Sequence, residues 1–264
     1  MNRIEEKLAQ LKEQNKKAFI TYTTAGLPDM ETTKKIMFAQ QEAGIDVMEL
    51  GIPFSDPVAD GPVIQAASYE AIQKGATLTK IFTLMKEVRK EGLTTPVVFM
   101  MYYNTVYHYG LEEFVEMCAD CGVDGLIIPD LPYEEQKEIN AVLAENEAAP
   151  ILIQLVSPVS KQRIPMIVNN ARGFVYCVSQ MGVTGNGANF HKQIREYLLE
   201  VKKNSPVPVM MGFGIRTAGD VEPLEDIIDG AIVGSHFITL MKENNYDENV
   251  IKEYISSFKK EMNE

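Results

Sequence analysis

The sequence predicts a single eight-stranded (β/α) barrel over residues 1–264. Short apolar runs alternate with amphipathic segments along the whole chain, and no linker or low-complexity stretch divides them. Alternation of this kind favours a parallel sheet covered by helices. The length of 264 residues also suits such a barrel, which takes about 250. An open doubly wound sheet is the alternative, because the number of strands alone does not show that the sheet closes.

The first elements are marked by residue type and spacing. Ile4, Leu8 and Leu11 recur at helical spacing and predict an extra helix at the N-terminus. β-Branched and aromatic residues indicate the first strand at residues 18–24, and a helix is expected at 30–43. The further strands are expected at residues 46–51, 96–102, 124–128, 150–156, 173–178, 206–211 and 230–233.

Helical patterns fill the intervals between these strands. Pro62 stands where the first turn of a helix tolerates proline, and that helix is expected to end near Gly75. The long interval before residue 96 has room for a second helix. The i, i+3, i+4, i+7 spacing recurs later in the chain, at Ile194, Tyr197, Leu198 and Val201 and at Ile251, Tyr254, Ile255 and Phe258.

Composition and charge exclude several classes of function. A net charge of -12 argues against a nucleic-acid partner and against an anionic membrane surface. No apolar run approaches the roughly 20 residues of a membrane span. Residues 1–17 are charged and lack the apolar centre of a signal peptide. We therefore expect a cytoplasmic protein that binds neither nucleic acid nor membrane.

The cysteines and histidines do not predict a metal site. Cys118 and Cys121 form a lone C-x-x-C, and Cys177 stands apart in an apolar strand. A zinc site needs two further ligands nearby, and no matching pair exists. Small packing residues are the better interpretation of these cysteines than a redox pair. The histidines are scattered without metal-ligand spacing, at His108, His191 and His236.

One acid inside an apolar strand is the strongest sign of chemistry. Glu49 lies within the second predicted strand and shares a face with Val47 and Gly51. If both faces are buried, the pKa of its carboxyl rises, which suits a group that both donates and accepts protons. The following loop carries Asp56 and Asp60, which on their own read as ordinary turn residues. Barrel active sites lie on such loops, so Glu49 and Asp60 are expected at one mouth.

Three glycine-rich segments predict a phosphate site. Residues 179–187, 212–215 and 233–235 each follow one of the last three predicted strands. Glycines let backbone N–H groups approach a phosphate, and a short helix after the eighth strand adds a favourable dipole. None of the three segments contains a basic residue, although Arg216 follows the second. Backbone N–H groups and one hydroxyl are therefore expected to provide the main contacts.

The sequence resembles the tryptophan synthase α subunit family. Residues 48–62 are similar to the family signature that contains both acids. Further similarity spans nearly the whole chain in order, at residues 24–28, 101–104, 129–132, 182–185, 212–215 and 234–235. The resemblance implies a barrel that cleaves indole-3-glycerol phosphate to indole and glyceraldehyde 3-phosphate in tryptophan biosynthesis. It also implies a heterotetramer of two α and two β subunits, with pyridoxal phosphate on the β subunit and no cofactor on this chain.

Roles for individual residues follow from the same resemblance. Glu49 is expected to protonate the indole ring carbon and to assist loss of the glycerol hydroxyl proton. Asp60 is expected to hold the indole N–H, and Thr184 to contact Asp60 from a lid over residues 179–190. The other implied residues fall into three groups: Gly185, Gly214, Gly234 and Ser235 for phosphate; Tyr22, Met100 and Tyr176 for the indole pocket; Asp56, Pro57, Asn104 and Pro132 for the β-subunit interface.

Two departures from the family pattern and two alternative functions stay open at this point. Gln180 stands where many members have arginine, and Tyr22 replaces a frequent phenylalanine. A stand-alone lyase that releases free indole is one alternative function. A catalytically silent barrel that binds phosphate and regulates a β subunit is the other. The presence of Glu49, Asp60 and Thr184 argues against the silent barrel.

Overall fold

Nine parallel strands form one sheet that closes into a barrel. The computed structural model describes residues 2–178, 188–212 and 214–264, with only the backbone described at 188–191. The strands are β1 (Ala18–Thr24), β2 (Val47–Gly51), β3 (Val97–Met100), β4 (Gly125–Ile127), β5 (Ile151–Leu152), β6 (Gln154–Val156), β7 (Val175–Val178), β8 (Val209–Gly212) and β9 (Gly230–Val233). Their order is β5-β4-β3-β2-β1-β9-β8-β7-β6.

The first and last strands of this order, β5 and β6, are consecutive in the chain. Only Ile153 separates β5, which pairs with β4, from β6, which pairs with β7. The N–H of Ile153 still donates to the carbonyl of Leu126, at 2.9 Å. β5 and β6 are therefore two halves of one strand that changes partner at Ile153. The predicted barrel is confirmed, and the fifth predicted strand is divided at this residue.

Most strands begin and end inside the predicted ranges, and β8 extends one residue beyond its range, to Gly212. β8 begins only at Val209, because Pro206 and Pro208 have no N–H to donate to a neighbouring strand. β3 ends at Met100 because the chain enters a helix at Tyr103. Prolines and helix starts thus shorten the sheet without changing the order of its strands.

Helices cover the outside of the barrel. They are α1 (Arg3–Glu13), α2 (Met30–Glu42), α3 (Pro62–Gln73), α4 (Leu78–Lys90), α5 (Tyr103–Tyr109), α6 (Leu111–Asp120), α7 (Lys137–Ala144), α8 (Ile164–Val168), α9 (Ala188–Asn204), α10 (Ser235–Glu243) and α11 (Glu248–Asn263). The long interval before residue 96 holds α3 and α4, as the sequence predicts, and α4 begins at the Thr77 cap. No helix in the described ranges is long and apolar enough to span a membrane.

The extra N-terminal helix closes the bottom of the barrel. Ile4, Leu8 and Leu11 of α1 are buried in the cluster that fills the interior. That cluster takes alternate residues from the strands, including Ile20 of β1 and Val47 of β2. Alternation places Glu49 on the same inner face as Val47, one layer nearer the opposite mouth. Chemistry is therefore confined to the carboxyl ends of the strands.

Three aspartates tie the amino ends of the strands together. Each one exchanges two hydrogen bonds with a residue of a neighbouring strand: Asp46 with Phe19, Asp124 with Val97, and Asp229 with Val209. A cation then pairs with each carboxylate, namely Lys259 with Asp46, Arg89 with Asp124, and Lys202 with Asp229. These contacts fix the register of the barrel at the end remote from Glu49.

Asp124→Ala should lower stability strongly. The change removes the acceptor of the Val97 N–H and leaves the buried Arg89 guanidinium without its carboxylate. Breaking a buried pair on one side typically costs about 3–5 kcal/mol. We expect a large drop in the urea midpoint, whereas Asp226→Ala in the exposed pair with Arg195 should leave it almost unchanged. Equal effects of the two changes would contradict the stabilising role of Asp124.

Candidate active site

A cavity of about 560 Å³ opens at the carboxyl ends of the strands. Strand residues form its floor, and the loops after β2, β8 and β9 form its walls. The predicted site residues that line it are Tyr22, Glu49, Asp60, Met100, Tyr176, Gly214, Gly234 and Ser235. The structure therefore brings together the acids, the aromatic residues and three of the four predicted phosphate residues. Thr184 and Gly185 lie outside the described residues.

Glu49 is buried without a partner. Its side chain projects from β2 into the barrel, and the residue is 2% exposed. Neither carboxyl oxygen has a hydrogen-bond partner among the described residues. Burial, reinforced by the charge of Asp60, raises the pKa of Glu49 to about 8. The carboxyl is thus protonated in much of the protein near neutral pH and is free to exchange that proton with a ligand.

Asp60 occupies a wetter position on the loop between β2 and α3. It is half-buried, and burial raises the pKa of its carboxyl above the ordinary value. A hydrogen bond from the Tyr102 hydroxyl acts in the opposite direction and stabilises the carboxylate. Two acids with different surroundings therefore face one cavity, an arrangement that separates a proton donor from a fixed negative charge.

Tyr102 holds the loop that carries Asp60. Its ring stacks on Phe54, with ring centroids 5.0 Å apart. Its hydroxyl accepts a hydrogen bond from the Ala59 N–H at 2.9 Å. Burial raises the pKa of Tyr102 to about 12, so the hydroxyl keeps the proton that it donates to Asp60. Sequence reasoning did not assign this role, although the position of Tyr102 just after the strand beside β2 is consistent with it.

Two glycines make room for the aromatic floor of the cavity. A Cβ atom on Gly51 would lie 1.9 Å from the Tyr22 hydroxyl oxygen, and one on Gly212 would lie 2.4 Å from that of Tyr176. Each tyrosine therefore leans across the end of a neighbouring strand that has no side chain there. Met100 of β3 adds a flexible apolar surface beside them. The result is a flat, mostly apolar slot next to Glu49.

The far end of the cavity is suited to an anion. Helix α10 begins at Ser235 after Gly234, and no side chain of the described residues caps its first N–H groups. Free N–H groups and the helix dipole both favour a negative ligand there. Gly214 faces the same space with φ +73°, a conformation that L side chains rarely adopt. The sequence prediction of backbone donors at this end is compatible with that geometry.

The predicted interface residues lie on the segments that follow three adjacent strands, with Asn104 in the first turn of α5. Asp56, Asn104 and Pro132 are exposed, and Pro57 is half-buried. They follow β2, β3 and β4 and so share one side of the barrel mouth. Val58 is 81% exposed and Tyr107 is 74% exposed on the segments between these residues. The rim beside the cavity thus combines polar residues with apolar groups that water covers poorly.

A second cavity, of about 890 Å³, opens at the amino ends of the strands. Charged residues line it, but Arg3 and Asp124 already pair with each other there. Residues at the amino ends of barrel strands usually contribute to stability, whereas active sites lie at the carboxyl ends. In the described ranges, no cluster of three or more His, Cys, Asp or Glu residues could hold a metal ion. Cys118, Cys121 and Cys177 are buried free thiols.

Comparison with known proteins gives one consistent result. The sequence profile of the tryptophan synthase alpha chain family matches residues 8–264. The tryptophan synthase alpha chain of Lachnospira eligens is 75% identical over 263 residues and covers 100% of both chains. That of a Thermoanaerobacter species is 45% identical, covering 98% of this chain and 99% of the relative. The solved tryptophan synthase subunit alpha from Legionella pneumophila has a TM-score of 0.89 and 33% identity, covering 99% of this chain and 98% of its own.

The raised pKa of Glu49 predicts a pH-dependent stability difference. The pKa is about 8 in the folded protein against 4.5 ordinarily, so the wild-type protein loses stability as pH rises between these values. Glu49→Gln cannot ionise. The free energy of unfolding of Glu49→Gln, relative to that of wild type, should therefore increase between about pH 4.5 and pH 8 and then level off. At pH 7 the increase should reach about 3 kcal/mol.

Urea unfolding at several pH values measures this difference. The exposed Glu31→Gln is the matched control for loss of a carboxyl outside the cavity, and it should show no comparable increase. A Glu49→Gln difference that is equally flat would show that the carboxyl ionises normally in the folded protein.

Proposed function

Because this chain belongs to the tryptophan synthase alpha chain family, we propose that Glu49 and Asp60 carry the family's cleavage reaction. The protein is a lyase that cleaves indole-3-glycerol phosphate to indole and glyceraldehyde 3-phosphate. The α subunit has no cofactor of its own, and pyridoxal phosphate belongs to the β subunit. The observation that supports the assignment is the buried, unpartnered carboxyl of Glu49 at the floor of the cavity.

Glu49 acts as both acid and base. Cleavage of the bond between indole C3 and the glycerol chain requires a proton on C3 and loss of the proton from the adjacent hydroxyl. A carboxyl with a pKa of about 8 holds the first proton near neutral pH. Once it has donated that proton, the carboxylate accepts the hydroxyl proton as the C–C bond breaks and the aldehyde forms. The group ends the reaction as it began, protonated.

Asp60 stabilises charge rather than transferring the essential proton. Protonation at C3 turns the indole into a cationic tautomer whose positive charge is largely on the ring nitrogen. A carboxylate that accepts the ring N–H stabilises this state, provided that it is already positioned. The contacts of Tyr102 with Asp60 and with the Ala59 N–H provide that positioning. Glu49 and Asp60 therefore act on different atoms of the same ring, C3 and the ring nitrogen.

The rest of the cavity orients the substrate. Tyr22, Met100 and Tyr176 form the apolar slot for the indole ring. Gly214, Gly234 and Ser235 contact the phosphate at the opposite end, and Thr184 and Gly185 belong to the same functional group by sequence similarity. Anchoring both ends of the substrate fixes the scissile bond beside Glu49, which removes much of the entropic cost of reaction.

The partner is a tryptophan synthase β subunit, in a heterotetramer of two α and two β subunits. Support comes from the exposed rim formed by Asp56, Asn104 and Pro132, with Pro57, Val58 and Tyr107 between them. Catalytic Asp60 and rim residue Asp56 share one short loop, so contact at the rim bears directly on the site. Three buried free thiols favour a reducing compartment, and we assign the enzyme to the cytoplasm.

Glu49→Gln should abolish cleavage, whereas Asp60→Asn should impair it less. Loss of a group that transfers two protons should cost at least ~10²–10⁴-fold in kcat. Asn keeps a carbonyl acceptor for the ring N–H, so Asp60→Asn should cost about 10²–10³-fold. Steady-state release of indole measures both. Retention of more than a tenth of wild-type kcat by Glu49→Gln would refute its assignment, and equal complete losses would assign an obligatory proton transfer to Asp60 as well.

Addition of a β subunit should accelerate cleavage, and Asp56→Ala should reduce that acceleration. A loop rich in proline and glycine has several arrangements, and a partner that binds one of them shifts the population toward it. Coupling of this kind is typically about 5–150-fold. The measurement is the cleavage rate against added β subunit, with the exposed Glu31→Ala on α2 as control.

Asp56→Ala should keep nearly the basal rate of the isolated chain, and Glu31→Ala should respond to the β subunit like wild type. An isolated wild-type chain that is already at full rate and indifferent to the β subunit would instead identify a stand-alone lyase.

A further inference from the structure

The charges of the cavity are separated between its two ends. Glu49 and Asp60 lie on the β2 side, and the Asp60 carboxylate brings negative charge toward a substrate that is itself a phosphate dianion. Among the described residues that line the cavity, Arg216 and His236 are the basic ones. They flank Gly214 and Ser235, at the end assigned to the phosphate. The chain as a whole carries a net charge of -12, so two basic residues at one end of the cavity are a local exception to its acidic character.

We propose that His236, together with Arg216, is a specificity-determining contact for the substrate phosphate, and that His236 takes up a proton when the phosphate binds. The proposal rests on the placement of the phosphate beside Gly214, Gly234 and Ser235. It adds two cationic side chains to the backbone donors that the sequence predicts there. The ligand class recognised is a phosphate monoester dianion.

Helix α11 contacts both the His236 ring and the backbone at Arg216. His236 is the second residue of α10, directly after Ser235, and is half-buried. Its ring packs against Tyr254 of α11, with centroids 5.7 Å apart. The Tyr254 hydroxyl donates to the carbonyl of Arg216 at 2.8 Å, and the Arg216 N–H donates to Asp220 at 2.9 Å. Tyr254 therefore links the start of α10 to the loop after β8, and both segments line the cavity.

Burial and a neighbouring cation both disfavour the protonated ring of His236. Burial and then the Arg216 guanidinium lower the pKa of His236, while Glu243 of α10 and Asp220 of the loop after β8 partly oppose them. The Arg216 guanidinium makes no ion pair with any described residue, although its charge contributes to stabilising the nearby Asp220 carboxylate. A dianion placed between the two would neutralise Arg216 and favour the imidazolium form. Phosphate binding and protonation of His236 are thus coupled, and each must favour the other.

Neutral backbone donors do not remove the need for this charge. The amino end of a helix carries the equivalent of about half an elementary charge, which attracts a dianion only in part. The N–H groups of α10 give the phosphate its position, while the two side chains offset the repulsion between the phosphate and the Asp60 carboxylate. Discrimination against substrates without the phosphate then depends on both sets of contacts.

The test is the dissociation constant of glycerol 3-phosphate, measured by calorimetry between pH 6 and pH 9. His236→Gln keeps a polar side chain without the charge, and we expect binding about three- to tenfold weaker at pH 6 but nearly equal at pH 9. Arg216→Gln should weaken binding at every pH. Lys242→Gln is the matched control, since Lys242 is on the same helix but pairs with Glu70 away from the cavity, and it should bind like wild type.

A second readout is the NMR titration of the His236 ring. Its pKa should rise when glycerol 3-phosphate is added, and in the enzyme assay KM should change more than kcat for both variants. The ligand's own titration is common to all variants and cancels in the comparison with wild type.

Gly234→Val separates failure of this inference from failure of the phosphate placement. Weak binding by Gly234→Val, with wild-type pH dependence in His236→Gln, would overturn the role of His236 alone. Unchanged binding in both variants would overturn the phosphate placement as well. Weaker binding in both, with the pH dependence lost in His236→Gln, supports both proposals.

Discussion

Burial of one carboxyl without a partner is the constraint on which the site depends. Glu49 is 2% exposed, and its oxygens have no hydrogen-bond partner among the described residues. An ionised carboxylate in that position costs several kcal/mol, so the protein keeps the proton instead. The instability that this causes is offset elsewhere in the barrel. The same desolvation that makes Glu49 unfavourable for folding makes it an effective proton donor at neutral pH.

The two ends of the barrel serve these opposite needs. At the amino ends, Asp46, Asp124 and Asp229 are fully engaged with backbone N–H groups and cations, and α1 fills the opening. At the carboxyl ends, acids, tyrosines and free helix N–H groups are left for a substrate. The residues that stabilise the barrel thus lie at the amino ends of the strands, and the candidate reactive residues lie at the carboxyl ends. The fixed strand register at the amino ends supports the geometry of the site.

The position of Glu49 within an apolar strand was enough to predict its burial, and strand–helix alternation was enough for the barrel. The division at Ile153 was not predictable, because it arises from a change of partner between distant strands. The contact of Tyr102 with the Asp60 loop and the placement of Arg216 and His236 together at the cavity wall were not predicted either. Each depends on contacts between segments far apart in the chain, such as Tyr254 with Arg216, which no local pattern contains. Thr184 and Gly185, outside the described residues, remain predictions from sequence similarity.

Direct titration of the Glu49 carboxyl tests the account at its centre. Carbon-13 NMR of the side-chain carboxyl, assigned by comparison with Glu49→Gln, gives its pKa in the ligand-free protein. The account predicts a midpoint near 8 that falls in Asp60→Asn, because removal of the Asp60 charge removes one of the two causes of the shift. A midpoint near the ordinary 4.5, unaffected by Asp60→Asn, would contradict it.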